Sequence, residues 1–227
     1  MLLPNEHARK TEEMISTVYV VDDDAASRSL IASLLEAIFP HVQAFESAAE
    51  FLDAYENDSP GCLVLDVAMP GMSGLELQRT LAARGIQLPI VFLTGHANVQ
   101  MAVGAMQAGA VNFLEKPFRE QELWASVRHA LDRDRKRRKE RVGRTDGVQR
   151  VSKLAPGERE VLALILEGMF NKEIAAQLNL SIRTVEDRRS RLMRKLEVNS
   201  VVELVQLTMP LIDMIRSAQE AAAASAC

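Results

Sequence analysis

Between residues 17 and 131 short apolar runs alternate with stretches of helical period. TVYVV, HVQAF, CLVLD, PIVFL and VNFLE predict strands near 17–22, 41–45, 62–66, 89–93 and 111–115. The segments between them repeat apolar residues at helical spacing, as in Leu30, Leu34, Leu35 and Ile38, or Leu75, Leu77 and Leu81. Five repeats of this kind, with strands apolar on both faces, predict a parallel five-stranded sheet covered by helices on each side, a doubly wound α/β domain. In such a sheet the crevice that carries chemistry lies at the carboxyl ends of the strands.

After Leu131 the pattern changes. DRDRKRRKERVGRTDGVQR is dense in charge, nearly without core positions, and ends in Gly and Asp punctuation. It reads as the end of the last helix running into a charged helical linker over 133–150. A run like this is ordinarily a solvated helix face, with weak attraction to phosphate as the other reading. From 154 onward every element is helical and short. PGEREVLALILEG is closed by Gly168, NKEIAAQL starts with Asn171 as N-cap, IRTVEDRRSRLMRKLE is capped by Ser181, and VVELVQL follows. The second and third are joined across Leu178, Asn179, Leu180 and Ser181. Ala175 and Ala176 allow close approach and Asn179 suits a left-handed turn, which is the shape of a helix-turn-helix. The expected order is therefore an α/β domain over 15–132, the linker, an all-α four-helix domain over 151–209, and an amphipathic extension with a flexible tail over 210–227.

Composition narrows the class. The chain has 227 residues, of which 48% are hydrophobic and 26% charged, enough for two small cores and too apolar for a disordered chain. VVELVQLTMPLIDMI is interrupted by Glu203, Pro210 and Asp213, so no run approaches the roughly 18 apolar residues of a membrane span. MLLPNEHARKTEE turns polar after three residues and predicts no secretory signal, which makes a soluble cytoplasmic protein the expectation. Cys62 and Cys227 are the only cysteines, poor material for a disulfide or a zinc site. The net charge of −4 hides an asymmetry: residues 1–130 carry 8 Lys and Arg against 17 Asp and Glu, and residues 131–227 carry 19 against 14. A −9 half and a +5 half point to two modules with different partners, the basic one suited to nucleic acid.

The strand ends share one chemical theme. Asp22 and Asp23 follow VYVV, Asp66 ends CLVL, Thr94 ends IVFL, and Lys116 lies just past the fifth strand. At one edge of a parallel sheet the three carboxylates repel one another and call for a cation. Hard oxygen ligands without His or thiolate select Mg²⁺ (or Mn²⁺), which accepts phosphate oxygens. A carboxylate beside that ion, an ammonium and a hydroxyl is a site for accepting a phosphoryl group, because phosphoryl transfer rests on positioning and charge neutralisation. Any one of these residues alone would be an ordinary helix cap or turn residue; it is their occurrence at four strand ends that carries the reading.

VYVVDDD, CLVLDVAMPGMSG and VFLTGHANVQMAVGAMQAGAVNFLEKPF together resemble the receiver domain of two-component response regulators, CheY-like in fold. LAPGEREVLALILEGMFNKEIAAQLNLSIRTVEDRRSRLMRKLEV is similar to a LuxR-type helix-turn-helix, and the order of the two resembles the FixJ/NarL class. The resemblance implies that Asp66 is the phosphoacceptor, attacking the phosphohistidine of a sensor histidine kinase. It implies Mg²⁺ held by Asp23, Asp66 and the backbone carbonyl of Ala68, with Asp22 acting through water. Lys116 would grip a phosphate oxygen, Thr94 would move toward the phosphoryl group and Phe113 would follow it inward, and Lys116–Pro117 would be a cis peptide. The face over 97–120 and the helix over 201–208 would form a homodimer, with promoter DNA as the target and RNA polymerase as a further partner. On this reading the chain is no enzyme beyond its own phosphoryl acceptance and slow dephosphorylation.

For the DNA-binding half, a helical wheel puts Val185, Arg189, Leu192 and Leu196 on the side that packs. Arg183, Asp187, Ser190, Arg191 and Arg194 occupy the other, with Thr184 and Glu186 beside them. Arg191 and Arg194 suit phosphates or guanine edges, Glu186 or Asp187 suits cytosine, and Lys172 suits a phosphate. Family members usually place Thr or Ser where this chain has Ala155, which forfeits an N-cap. Two competing readings remain open at this stage: a regulator that binds DNA without phosphorylation, its receiver serving as an interaction module, and an Asp-nucleophile phosphatase. The second lacks the further acid such enzymes need two residues past the nucleophile, where Ala68 stands.

Overall fold

The computed structural model describes residues 15–95 and 99–212. Five strands, β1 (Thr17–Val21), β2 (Val42–Phe45), β3 (Gly61–Asp66), β4 (Ile90–Thr94) and β5 (Asn112–Glu115), alternate with α1 (Ala25–Glu36), α2 (Ala48–Ala54), α3 (Gly74–Ala83), α4 (Val99–Gln107) and α5 (Glu120–Ser152). All pairings are parallel and the strand order is β2-β1-β3-β4-β5, so the winding reverses between β1 and β3. That reversal opens a crevice at the carboxyl ends of these two strands, where Asp22 and Asp66 stand. The strands fall within a residue of the expected spans.

Alternation along each strand divides the interior into two layers. Tyr19, Val21, Leu63, Leu65 and Phe92 face one side and pack on Phe51, Leu77, Leu81 and Ala105. Val18, Val20, Cys62, Val64, Val91 and Leu93 face the other and pack on Ile31, Leu35, Leu123 and Val127. β3 is buried along its whole length, as the central strand of a sheet covered on both faces must be. Gly74 opens α3 under Asp66: a Cβ there would lie 2.2 Å from the Asp66 carbonyl oxygen, so only glycine lets the helix start this close to the site.

The chain divides into two compact units, Met1–Arg137 and Arg138–Cys227, and α5 runs through the division. The Gly and Asp punctuation of the charged stretch does not end the helix. Nor is the stretch as poor in core positions as its sequence suggests, since Asp134, Arg138, Gly147 and Val151 are all buried. The Asp134 carboxylate accepts the Gly61 N–H at 3.1 Å at the start of β3 and is paired with Arg137. Arg133 donates to the Gly109 carbonyl at 3.2 Å. Gly147 is a site of close packing, where a Cβ would meet Leu211 Cδ1 at 3.0 Å and the Leu207 carbonyl oxygen at 3.3 Å.

The second unit adds α6 (Pro156–Leu166), α7 (Asn171–Gln177), α8 (Ile182–Leu196), α9 (Val201–Thr208) and a 3-10 turn at Met209–Leu211. Their core is Val151, Leu154, Val161, Leu162, Ile165, Ile174, Val185, Leu192, Leu196, Leu204 and Leu211. The α7–α8 turn carries Asn179 at φ +53°, the left-handed conformation its short polar side chain tolerates. One helix start differs from expectation. Asn171 is the first residue of α7, and the cap position belongs to Phe170, which offers no side-chain cap. Glu173 reaches back to accept the Phe170 N–H at 2.7 Å, and Asn171 is engaged by α8 instead. Of the two small residues in α7, Ala175 is buried and Ala176 faces outward. Most of the extension expected over 210–227 lies outside the described residues, where only its first residues, through Ile212, are seen. Among the described residues no helix is long and apolar enough to cross a membrane.

Candidate phosphoryl-acceptor site and helix-turn-helix

β1 and β3 end side by side and deliver Asp22 and Asp66, both buried, to one pocket. Lys116, just past β5, reaches between them: its Nζ donates to Asp22 Oδ2 and to Asp66 Oδ1, each at 2.7 Å. Asp22 Oδ1 accepts the Asp24 N–H at 3.0 Å, and Asp66 Oδ2 accepts the Ala68 N–H at 2.8 Å, so each carboxylate is oriented by the backbone that follows it. Burial lowers the tendency of Lys116 to hold its proton, but the hydrogen bonds and charges of Asp22 and Asp66 outweigh it and raise its pKa. The group is thus an ammonium fixed across two carboxylates.

Thr94, at the end of β4, is buried, and its carbonyl accepts the Lys116 N–H at 2.7 Å, which ties the two strand ends together. Phe113 on β5 is half-buried with its ring 5.9 Å from that of Phe92. The Lys116–Pro117 peptide is cis. Asp23, next to Asp22, is exposed. Among the described residues no three Asp, Glu, His or Cys side chains converge closely enough to hold a metal, and Lys116 is the cation shared by Asp22 and Asp66. The donors gathered here are all hard oxygens, the kind Mg²⁺ takes.

Two residues that the sequence pattern did not single out belong to this site. Ser27, in the first turn of α1, donates through Oγ to Asp22 Oδ2 at 2.7 Å and accepts from Lys116 Nζ at 3.0 Å. Arg28 donates to the carbonyls of Asp22 at 2.7 Å and Asp23 at 3.3 Å, holding the loop after β1. Their position in the turn following DDD is the only local hint, and Ser27 meets Lys116 across 89 residues of chain.

In the second unit α8 divides its polar residues by role. Val185, Leu192 and Leu196 are buried, while Arg183, Glu186, Asp187, Ser190, Arg191 and Arg194 are exposed, as is Lys172 near the start of α7. Thr184 is half-buried and shares its hydroxyl with the cap residue Ser181, with Oγ atoms 2.8 Å apart. Three other cations of α8 are turned to the scaffold. Arg188 donates to the Gly157 carbonyl at 3.3 Å, Arg189 to Asn171 Oδ1 at 2.9 Å, and Lys195 to Glu158 Oε2 at 2.7 Å. Burial pushes the Glu158 carboxyl up, but the hydrogen bonds from Lys195 and the Ala155 N–H, with the charges of Lys195 and Arg191, bring it below the usual glutamate range.

Residues 18–128 match the family described as the response regulator receiver domain, and residues 152–208 match the bacterial regulatory proteins of the luxR family. The chain is 40% identical to the response regulator protein TodT of Pseudomonas putida over 91% of each chain. It is 42% identical to the transcriptional regulatory protein FixJ of Bradyrhizobium diazoefficiens over 85% of this chain and 94% of that one. The solved structure of the response regulator StyR, 42% identical, superposes with a TM-score of 0.73 over 86% of this chain and 98% of that one.

The chain belongs to the response regulators of the FixJ/NarL class.

In this response regulator the α/β unit is a CheY-like receiver, and the helical unit is a LuxR-type helix-turn-helix of the kind found in DNA-binding transcriptional regulators. The exposed set on α8 is therefore its candidate DNA-reading face, and the acidic crevice its candidate phosphorylation site. The regulator's remaining α8 cations, Arg188, Arg189 and Lys195, are structural.

Proposed function

We propose that this response regulator is switched by phosphorylation of Asp66 and that phosphorylation promotes dimerisation and promoter binding. The observation that carries the proposal is the placement of Asp66 at the end of β3 with the Lys116 ammonium on its Oδ1 at 2.7 Å. In the proposed reaction a carboxylate oxygen of Asp66 attacks phosphorus, and the bond to the phosphohistidine nitrogen of a sensor kinase breaks. Asp22, Asp23, Asp66 and the carbonyl of Ala68 are the residues that would hold Mg²⁺ or Mn²⁺, which supplies charge neutralisation for the phosphoryl oxygens.

Lys116 then exchanges its bond to Asp66 for one to a phosphoryl oxygen, and the Thr94 hydroxyl moves toward the same group. Because the Lys116 N–H is bonded to the Thr94 carbonyl, both strand ends respond together. Phe113 follows into the space beside Phe92. Contacts made only after phosphorylation bias the β4–α4–β5 face toward one state. The proposed dimer face over 97–120 shows exposed Val99, Val103 and Met106 on α4, and 97 and 98 lie outside the described residues. In the LuxR unit, α9 exposes Val201 and Val202, suited to a second, symmetric contact.

On DNA, α8 enters the major groove with Arg183, Glu186, Asp187, Ser190, Arg191 and Arg194 toward the bases and phosphates, and with Thr184 at its cap. Lys172 meets a phosphate. The receiver spans 15–132, the linker 133–150 and the DNA-binding domain 151–209 in this reading. Gel-shift titration of the full chain with and without acetyl phosphate and Mg²⁺ tests it. Tighter binding after phosphorylation is expected. Equal affinity in both states counts against the switch, and affinity indifferent to salt counts against groove binding.

A further inference from the structure

The Lys116 ammonium has three protons, and its three acceptors are Asp66 Oδ1, Asp22 Oδ2 and Ser27 Oγ. Only the first belongs to the residue that changes chemically. The other two lie at the end of β1 and in the first turn of α1, and they are bonded to one another, since Ser27 Oγ donates to Asp22 Oδ2 at 2.7 Å. Ser27 spends its single proton on Asp22 and leaves a lone pair for Lys116. Arg28, the next residue, holds the carbonyls of Asp22 and Asp23, so the first turn of α1 clasps the loop that carries both acids.

We propose that Ser27 is a positioning residue for phosphoryl acceptance, fixing the Lys116 ammonium through an anchor that survives the reaction. The inference rests on Asp66 being the phosphoacceptor. With acetyl phosphate as donor, an Asp66 carboxylate oxygen forms the new bond to phosphorus. The bond from phosphorus to the acetyl oxygen breaks, and acetate leaves with the electron pair. No proton is transferred in this step. As it proceeds, the Lys116 N–H that donates to Asp66 Oδ1 turns to a phosphoryl oxygen and stays on nitrogen, while the bonds to Asp22 and Ser27 hold Nζ in place. Without the Ser27 hydroxyl, Lys116 keeps one fixed anchor instead of two, and Asp22 loses a donor. An ammonium displaced by a fraction of an ångström stabilises the transferring group less well.

Phosphorylation of the full chain by acetyl phosphate with Mg²⁺, followed on phosphate-affinity gels, is compared for wild type, Ser27→Ala and Ser27→Thr. Ser27→Ala is expected to slow phosphorylation by about three- to tenfold, and Ser27→Thr, which keeps the hydroxyl, to restore most of the rate. A second readout needs neither metal nor donor: the ¹⁵N signal of the Lys116 ammonium, assigned by its loss in Lys116→Ala. It is expected to move in Ser27→Ala and to return toward the wild-type position in Ser27→Thr. An unmoved signal, a Ser27→Ala rate within about twofold of wild type, or a Ser27→Thr protein as slow as Ser27→Ala overturns the proposal. Wild type that takes no phosphoryl group on Asp66 overturns the phosphoacceptor reading itself, and the inference with it.

Discussion

The receiver and the helix-turn-helix unit each pair a lysine with a buried carboxylate, and the two pairs are built differently. In the receiver, Lys116 lies between Asp22 and Asp66 at the open end of the sheet, where the winding reverses. In the second unit, Lys195 of α8 bonds Glu158 in the first turn of α6. The first couples two acids through one ammonium, an arrangement poised for an incoming anion. The second closes a helix cap that Ala155 cannot close by itself, because Glu158 accepts the Ala155 N–H at 2.8 Å while it holds Lys195. The difference between them is that in the receiver a second carboxylate shares the same ammonium, whereas Glu158 has Lys195 to itself. In the second unit the candidate DNA-reading cations are Arg183, Arg191 and Arg194, which are exposed.

Substitutions in the two units would break or sharpen this contrast. The largest effect is expected at the receiver pair: Asp66→Asn should take up no phosphoryl group from acetyl phosphate on a phosphate-affinity gel. Next come the exposed cations of α8. Arg191→Ala combined with Arg194→Ala should weaken DNA binding and flatten the salt dependence of the binding constant by about 0.9 for each DNA phosphate that is no longer neutralised. Arg189→Ala should act on thermal stability first.

Breaking the structural pair should show in unfolding alone. Lys195→Met leaves Glu158 short of a donor and should cost about 1–2 kcal/mol in urea denaturation. The sign of the pH effect follows from the lowered Glu158 carboxyl. Its contribution is complete above the ordinary glutamate value of about 4.3 and fades as pH falls through the lower folded value, so the stability gap between wild type and Glu158→Gln should close under acid. Smallest of all, Ala155→Ser should supply the missing α6 cap and raise stability by about 1 kcal/mol, without altering DNA affinity.

The residues that repeat a local pattern were legible in advance. Apolar alternation placed five strands, and the polar residues at their ends placed Asp22, Asp66, Thr94 and Lys116. The wheel for α8 separated Val185 and Leu192 from Arg191 and Arg194. What escaped depends on encounters between distant segments. Ser27 is one polar residue in an ordinary first turn until the chain returns with Lys116. Asp22 and Asp23 are neighbours in sequence, yet Asp22 is buried and bonded to Lys116 while Asp23 is exposed. In α5, Gly143, Asp146 and Gly147 read as a stop, but tertiary packing overrides their weak propensity, and at Gly147 the missing side chain is what lets Leu207 and Leu211 approach. Asn171 is a favourable cap residue taken up by Arg189 instead.

The bond from the Gly61 N–H to Asp134 has a practical side for anyone cutting this chain into fragments. Gly61 begins the strand that ends in Asp66, and its N–H acceptor lies three residues beyond Leu131, the last apolar residue of α5 in the receiver core. A receiver fragment trimmed at residue 132 would look complete by its hydrophobic pattern, yet would leave a buried amide at the root of its central strand with nothing to bond. Ending the fragment at Arg137 keeps both Asp134 and the guanidinium that balances its charge. For expression of the isolated receiver, the right place to stop is set by a backbone amide in the middle of the sheet.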